Sequence, residues 1–248
     1  MRILVVNPNT TATMTDTIAT AARSVASPVT EIVAMTSTSG PVSIEGYYDE
    51  AFSVPGLLAR IAEGQRAGAD AAIIACFDDT GLDAARSMTS IPVLGICESA
   101  LSLASMIGTR ISVVTTLDRS LSPIEHLVHR YGKSRQTRVR AADIPVLSLE
   151  DPNSGAGDRL RSEIRLALAE DRAEVIVLGC AGMADLARQL QTEFGVPVID
   201  GVTAAVKQAE ALVSLGLSTS KRGAYAAPAP KPYTGMMECF APGIIAAE

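Results

Sequence analysis

The chain has little of what marks several large functional classes. Of its 248 residues only two are histidine and four are lysine. Neither GxxxxGK[ST] nor GxGxxG occurs, so nucleotide phosphates have no glycine-rich cradle. Lys133, Lys207, Lys221 and Lys231 all avoid the expected strand ends, which leaves pyridoxal phosphate without an obvious Schiff-base partner. No basic cluster is present, and a formal charge of −6 with a pI near 5.1 argues against nucleic acid. The four cysteines lack CxxC spacing, and Met1-Arg2 with four apolar residues is too short for a secretory signal. Reduced thiols and a cytoplasmic setting are therefore expected. The longest nearly uncharged stretch, Ser87 to Thr109, is broken by Pro92 and Gly95, so it reads as a buried strand–turn–helix and not a membrane span.

What is present is a repeat. With 48% hydrophobic and 19% charged residues the chain can build a substantial core. Cys76 follows the apolar run Ala71-Ala72-Ile73-Ile74-Ala75, and Cys180 follows Val175-Ile176-Val177-Leu178-Gly179, 104 residues later. Ile91-Pro92-Val93-Leu94-Gly95 recurs as Val196-Pro197-Val198-Ile199-Asp200, offset by 105, and Ile3-Leu4-Val5-Val6 recurs at Ile111, offset by 108. Short apolar runs without alternation suit parallel strands covered on both faces. The expected fold is α/β: two pseudo-symmetric flavodoxin-like domains with parallel sheets and a site between them. The domains are placed at 1–98, with 207–248 returning to the first, and at 99–206.

Along the chain, helices are expected from Met14 to Val25, Pro55–Arg66, Ser99–Ile107, Asp158–Glu170 and Ala204–Leu215, and further strands over Glu31–Ala34 and Ile144–Leu149. Ser122-Pro123-Ile124-Glu125 has the pattern of a capping box with proline at the first helical position. His126 and His129 on that helix are read as a solvated face, not as metal ligands. The polar stretch Thr36 to Glu50 either covers the sheet edge beside the Asn7 turn or is an ordinary surface loop, and spacing alone does not choose. The turn Asp151–Gly157 precedes the Asp158 helix. A tail with Pro228, Pro230, Pro232 and Pro242 reads as an extended arm. Cys239 in that arm and Cys97 in a buried turn receive no role.

A single cysteine is ordinarily a small buried hydrophobe. Two at matching positions of a duplicated fold, each where a strand end meets a helix N-terminus, can instead reach one cleft from opposite sides. Inversion at carbon needs such a pair, one thiolate taking a proton and one thiol returning it. A helix N-terminus can bring a thiol down from its usual pKa of about 8.5, Asp78 and Asp79 oppose that, and the sequence leaves the balance open. The strand-end segments contain no Lys or Arg, which favours a neutral reacting group such as a cyclic ureide over a free carboxylate.

Asn7-Pro8-Asn9-Thr10-Thr11, Gly40-Pro41-Val42-Ser43-Ile44-Glu45-Gly46, Ala75-Cys76-Phe77-Asp78-Asp79 and Gly179-Cys180-Ala181-Gly182-Met183 together resemble the aspartate/glutamate racemase superfamily. Within it the chain is most similar to hydantoin racemases, from Met1 to the Lys231-Pro232-Tyr233-Thr234-Gly235 segment, with allantoin racemases sharing the pattern. The resemblance implies a cofactor-independent two-cysteine racemase acting at C5 of 5-monosubstituted hydantoins, with Cys76 and Cys180 as the acid/base pair, no metal, and a homo-oligomeric state. Asn7, Pro41, Ile44, Phe77, Thr116, Gly179 and Ala181 are the expected substrate-binding residues. The competing expectations are an allantoin or acidic amino-acid racemase, a decarboxylase or cis–trans isomerase of the same superfamily, and a two-lobed protein that only binds a small ligand.

Overall fold

The computed structural model describes residues 1–151 and 153–242. Pro152 in the turn expected at 151–157, and the end of the arm beyond 242, lie outside the described residues. The first half runs β1 (Arg2–Asn7), α1 (Ala12–Val25), β2 (Glu31–Thr36), α2 (Tyr47–Arg66), β3 (Ala71–Ile74), α3 (Leu82–Met88), β4 (Val93–Gly95) and α4 (Ile96–Ile107). The second repeats the order with β5 (Ile111–Thr115), α5 (Leu121–Arg130), β6 (Thr137–Ala141), α6 (Ala156–Leu166), β7 (Val175–Leu178), α7 (Ala187–Phe194), β8 (Val198–Asp200) and α8 (Gly201–Ser214). Each half holds a parallel four-stranded sheet, ordered β2-β1-β3-β4 and β6-β5-β7-β8. That is the doubly wound order in which chain direction reverses beside the first strand, and ligands of such sheets sit at the strands' carboxyl ends.

Alternation within the strands decides which core each residue enters. Ile3, Val5, Ile73, Val113, Val175 and Val177 face a central core shared by both sheets, while Leu4, Val6, Ile74 and Leu57 fill the outer face of the first sheet. Val114, Ile176, Leu178, Leu160 and Ile164 fill the outer face of the second. The central layer is built by exchange: α4 packs on β7 and β8 of the second sheet, and α8 packs on β3 and β4 of the first. The two helices begin against each other, since a Cβ at Gly201 would stand 2.5 Å from the Ile96 carbonyl oxygen. Glycine is required there for the helices to cross.

Several expected boundaries move. Residues 146–150 form a 3₁₀ turn and not the strand expected at Ile144–Leu149; the edge strand is β6, whose Thr-Arg-Val-Arg-Ala sequence is too polar to stand out as apolar. Helix α2 starts at Tyr47, eight residues before Pro55. Its first turn is secured by Glu50 N–H donating to Gly46 O, and Pro55 sits inside it. The capping box at Ser122 does not form, because α5 begins at Leu121 and Ser122 lies within its first turn. Helix α6 ends at Leu166 in a π turn, and Cys97 belongs to the first turn of α4. The arm packs on the first half: Lys221 Nζ donates to the carbonyls of Arg86, Ser87 and Thr89 at 2.8 to 3.1 Å, closing the C-terminus of α3. No helix among the described residues is long and apolar enough to cross a membrane.

The buried Asp79 carboxylate ties the halves together. It accepts from the N–H groups of Cys97 (3.0 Å) and Glu98 (2.9 Å) at the start of α4, and from the Tyr131 hydroxyl after α5 (2.7 Å). Asp79→Ala would strand three donors in a buried site, so we expect a loss of about 2–4 kcal/mol of unfolding free energy in urea titrations. Tyr131→Phe, which removes one of the three, should cost about 1 kcal/mol.

Candidate active site

Four strand ends meet in one cavity. β1 delivers Asn7, β3 leads through Ala75 to Cys76, β5 delivers Thr115 and Thr116, and β7 leads through Gly179 to Cys180; all line the same space, of about 40 Å³. Pro8, Asn9, Met14 from α1, Phe77, Asp78, Ser120 and Ala181 also line it, as do Ile44 and Val146 from the segments that cross its edge. Space of that size holds a few water molecules at most, so a ring with a side chain enters only if the mouth gives way.

The mouth is a latch between the halves. Thr10 N–H donates to Pro41 O (3.0 Å) and the Thr11 hydroxyl to Val42 O (2.7 Å), which folds the 37–46 segment over the Asn7 turn. Glu45 Oε1 then accepts from Val146 N–H of the second half at 3.1 Å. The Thr36–Glu50 stretch therefore covers the site. Beside it the Tyr47 hydroxyl lies 3.0 Å from His126 Nδ1. Neither histidine lines the cavity.

The expected binding residues divide. Ile44, Phe77, Thr116, Gly179 and Ala181 are in the walls, and the Thr116 hydroxyl has no hydrogen-bond partner among the described residues. Asn7 is in the wall but its amide is committed. Its Nδ2 donates to Asn9 Oδ1, Thr11 O and Thr15 Oγ1, and its Oδ1 accepts from Asn9 N–H, so it shapes the turn. Pro41 stands outside the walls and acts through its carbonyl. Met14, Ser120 and Val146 had no signal in the sequence. Met14 reads as one more apolar residue of α1, and Val146 sits where a strand was expected.

The thiols are held alike. Asp78 N–H points at Cys76 sulfur and Gly182 N–H at Cys180 sulfur, in each case two residues on, and the Thr80 hydroxyl donates to Cys76 Sγ at 3.6 Å. These donors favour the thiolate, yet burial outweighs them. It pushes Cys76 well above the ordinary thiol range, helped by the Asp78 charge, and pushes Cys180 up to about 11. The balance that the sequence leaves open thus falls on the side of raised thiols. After Cys76 the chain makes a turn before the seven-residue α3, and after Cys180 a 3₁₀ turn over Ala181–Leu186, so neither sulfur faces a long helix. Burial also pushes Asp78 up to about 7, with the Glu50 and Asp79 charges adding to it. No Lys, Arg or His lines the cavity.

The Asp/Glu/Hydantoin racemase family matches residues 3–209. A hydantoin racemase of Rhizobium meliloti is 52% identical over 240 residues, covering 96% of this chain and 100% of that one. A hydantoin racemase of Pseudomonas sp. (strain NS671) is 50% identical and covers 97% of each. Among solved structures, an allantoin racemase from Klebsiella pneumoniae superposes with a TM-score of 0.95 at 48% identity, over 98% of this chain and 99% of that one.

Because burial keeps both cavity thiols protonated at neutral pH, iodoacetamide at pH 7 should label the exposed Cys239 and leave Cys76 and Cys180 largely unmodified. Peptide mass mapping should show labelling of Cys180 growing as the pH approaches 11.

Proposed function

The chain belongs to the Asp/Glu/hydantoin racemase family and is a racemase, and from that premise we propose that it inverts C5 of 5-monosubstituted hydantoins by proton transfer between Cys76 and Cys180. The observation that carries the reading is two equivalent thiols in the wall of one small cavity. One sulfur, as thiolate, takes the C5 proton, and the negative charge moves onto the neighbouring ring carbonyl oxygen. The other thiol then delivers its proton to the opposite face, and the enzyme is left with the two protonation states exchanged. A thiol whose pKa burial has raised is ionised less often, but as a thiolate it binds a proton more strongly, which suits abstraction from a weak carbon acid. No cofactor enters this chemistry.

The walls favour a neutral ring. A free amino acid would bring a carboxylate into a cavity that contains Asp78 and no cation. A hydantoin offers carbonyls and N–H groups instead. The second reading is allantoin, which is a hydantoin with a ureido group at C5, and the close likeness to the Klebsiella enzyme supports it. We further propose that the halves divide at 1–98 plus the returning 207–248, and 99–206, and that the protein acts as a homo-oligomer.

Polarimetry with single enantiomers of 5-alkyl and 5-benzyl hydantoins, allantoin, L-aspartate and L-glutamate separates these readings. Loss of rotation is expected with the hydantoins, allantoin preference would move the assignment to the second reading, and faster loss with an acidic amino acid would overturn both. Cys76→Ser and Cys180→Ser should each lower racemisation by at least about 10³-fold, with the double variant little worse, since groups acting as a unit are not additive. In D₂O each single variant should still exchange C5–H in one enantiomer only, and the two should choose opposite enantiomers. Exchange of the same enantiomer by both variants would sink the two-thiol assignment.

A further inference from the structure

The repeat places Asp78 and Gly182 at the same position relative to their cysteines, two residues on. Their backbone N–H groups do the same work, but only the first carries a side chain. A Cβ at Gly182 would stand 3.2 Å from Leu149 Cδ1, so the second loop has little room for one. The Asp78 carboxyl lies in the cavity wall, accepts no hydrogen bond among the described residues and meets no cation there. It is therefore a half-buried carboxyl left open to whatever enters the cavity. Its neighbour Asp79, by contrast, is fully engaged by three donors turned away from the cavity.

Asp78 lines the same cavity as both thiols, and its charge acts on each of them. A carbon held between the two sulfurs carries its carbonyl oxygen off the line that joins them, and a carboxyl in the cavity wall is a group such an oxygen can meet. The groups facing Asp78 are Glu50 from α2, Asp79 on its own loop, the Cys76 and Cys180 thiols and the Cys97 thiol at the start of α4; every one of them is an acid. Such surroundings favour the neutral carboxylic acid, which has a proton to donate.

Resting on the racemase reading above, we propose that Asp78 is a third catalytic residue, whose carboxylic acid donates a hydrogen bond to the ring carbonyl oxygen that becomes negative when C5 loses its proton. The proton stays on Asp78 throughout, so the exchange of protons between the sulfurs still balances. A protonated carboxyl held in an apolar site is a strong donor to an enolate oxygen, and a donor aimed at developing charge commonly contributes 10²–10³ in rate. The same group explains selection against anionic substrates, because losing its proton would place a negative charge where the enolate forms.

The test uses the full-length protein, a single enantiomer of a 5-alkyl hydantoin that the parent racemises, and the variants Asp78→Asn and Asp78→Ala. Asp78→Ala, which removes the donor, should lower kcat by about 10²–10³ with KM changed less than tenfold. Asp78→Asn keeps a donor of the same shape and should recover most of that loss, falling only about tenfold at pH 7. The two variants also differ in pH dependence. In the parent, kcat/KM should level off above about pH 7, where the next proton to leave comes from Asp78 instead of a thiol. In Asp78→Asn it should keep rising above pH 8. Independently of substrate, alkylation of Cys180 at pH 9 should be faster in Asp78→Asn than in the parent, because a repelling charge is gone. An Asp78→Ala enzyme within threefold of the parent, or an Asn variant that levels off where the parent does, overturns the inference while leaving the racemase reading standing. A parent inactive on hydantoins and allantoin alike overturns the racemase reading, and the inference with it.

Discussion

The geometry of the molecule depends on one buried carboxylate. Asp79 sits next to the cavity but faces away from it, with left-handed backbone (φ 46°) that turns the Cys76 loop back on itself. Its two oxygens take the first N–H groups of α4 and the Tyr131 hydroxyl. Helix α4 leaves the first sheet there and lies on the second, so one side chain fixes the Cys76 loop, the crossing helix and the second half to each other. A helix cap of this kind is ordinarily worth about 1 kcal/mol; here it also sets the position of a thiol. Burial pushes Asp79 up to about 6 against the pull of its three donors, which shows how far from solvent the contact has been placed.

The repeat solves the same capping problem twice, with the acid in different places. Asp200 ends β8 and caps its own helix, accepting from Thr203 N–H at 2.8 Å. The matching residue at the end of β4 is Gly95, which has no side chain to give, and a Cβ there would fall inside the Asp79 carboxylate. The acid that Gly95 lacks arrives from the neighbouring loop. Where Asp79 would have its counterpart, the second half carries the fully buried Met183 in its outer core. The two halves thus differ in which loop carries the capping carboxylate, and in the first half it is the Cys76 loop.

The cavity is tuned by exclusion of water more than by charge pairing. Its titratable groups are two thiols and a carboxyl, none with a cationic partner, and all three are shifted toward their neutral forms. Cations are used elsewhere. Arg140 joins Glu163, Glu170 and Asp171 on the second half, and Arg130 and Arg86 engage Asp83 and Glu98 around the arm. Among the described residues the cavity wall thus holds a carboxyl and no cation.

How much of this was legible follows from range of interaction. The apolar runs before Cys76 and Cys180, and the matching x-Pro-Val strands, are local patterns that burial on both faces dictates, so the parallel sheets and the matching positions of the two cysteines could be read from residues alone. Polar segments could not. β6 carries Arg138 and Arg140 because it is an edge, and its neighbour at 146–150 looks like a strand but is a turn that closes the cavity mouth. The ionisation of the thiols stayed open for the same reason: a helix N-terminus is visible in sequence, whereas the depth of burial that outweighs it exists only once both sheets have come together. Likewise Asn7 advertises hydrogen-bonding capacity in the sequence, and only the folded turn shows it already used. The sequence by itself determined the two α/β halves and their matched cysteines, because each rests on contacts within a short stretch of chain. The exchange of α4 and α8, the cavity shared by both cysteines and the place of Asp78 in its wall were decided by tertiary structure, because each arises where segments some fifty to one hundred residues apart exclude water from one another.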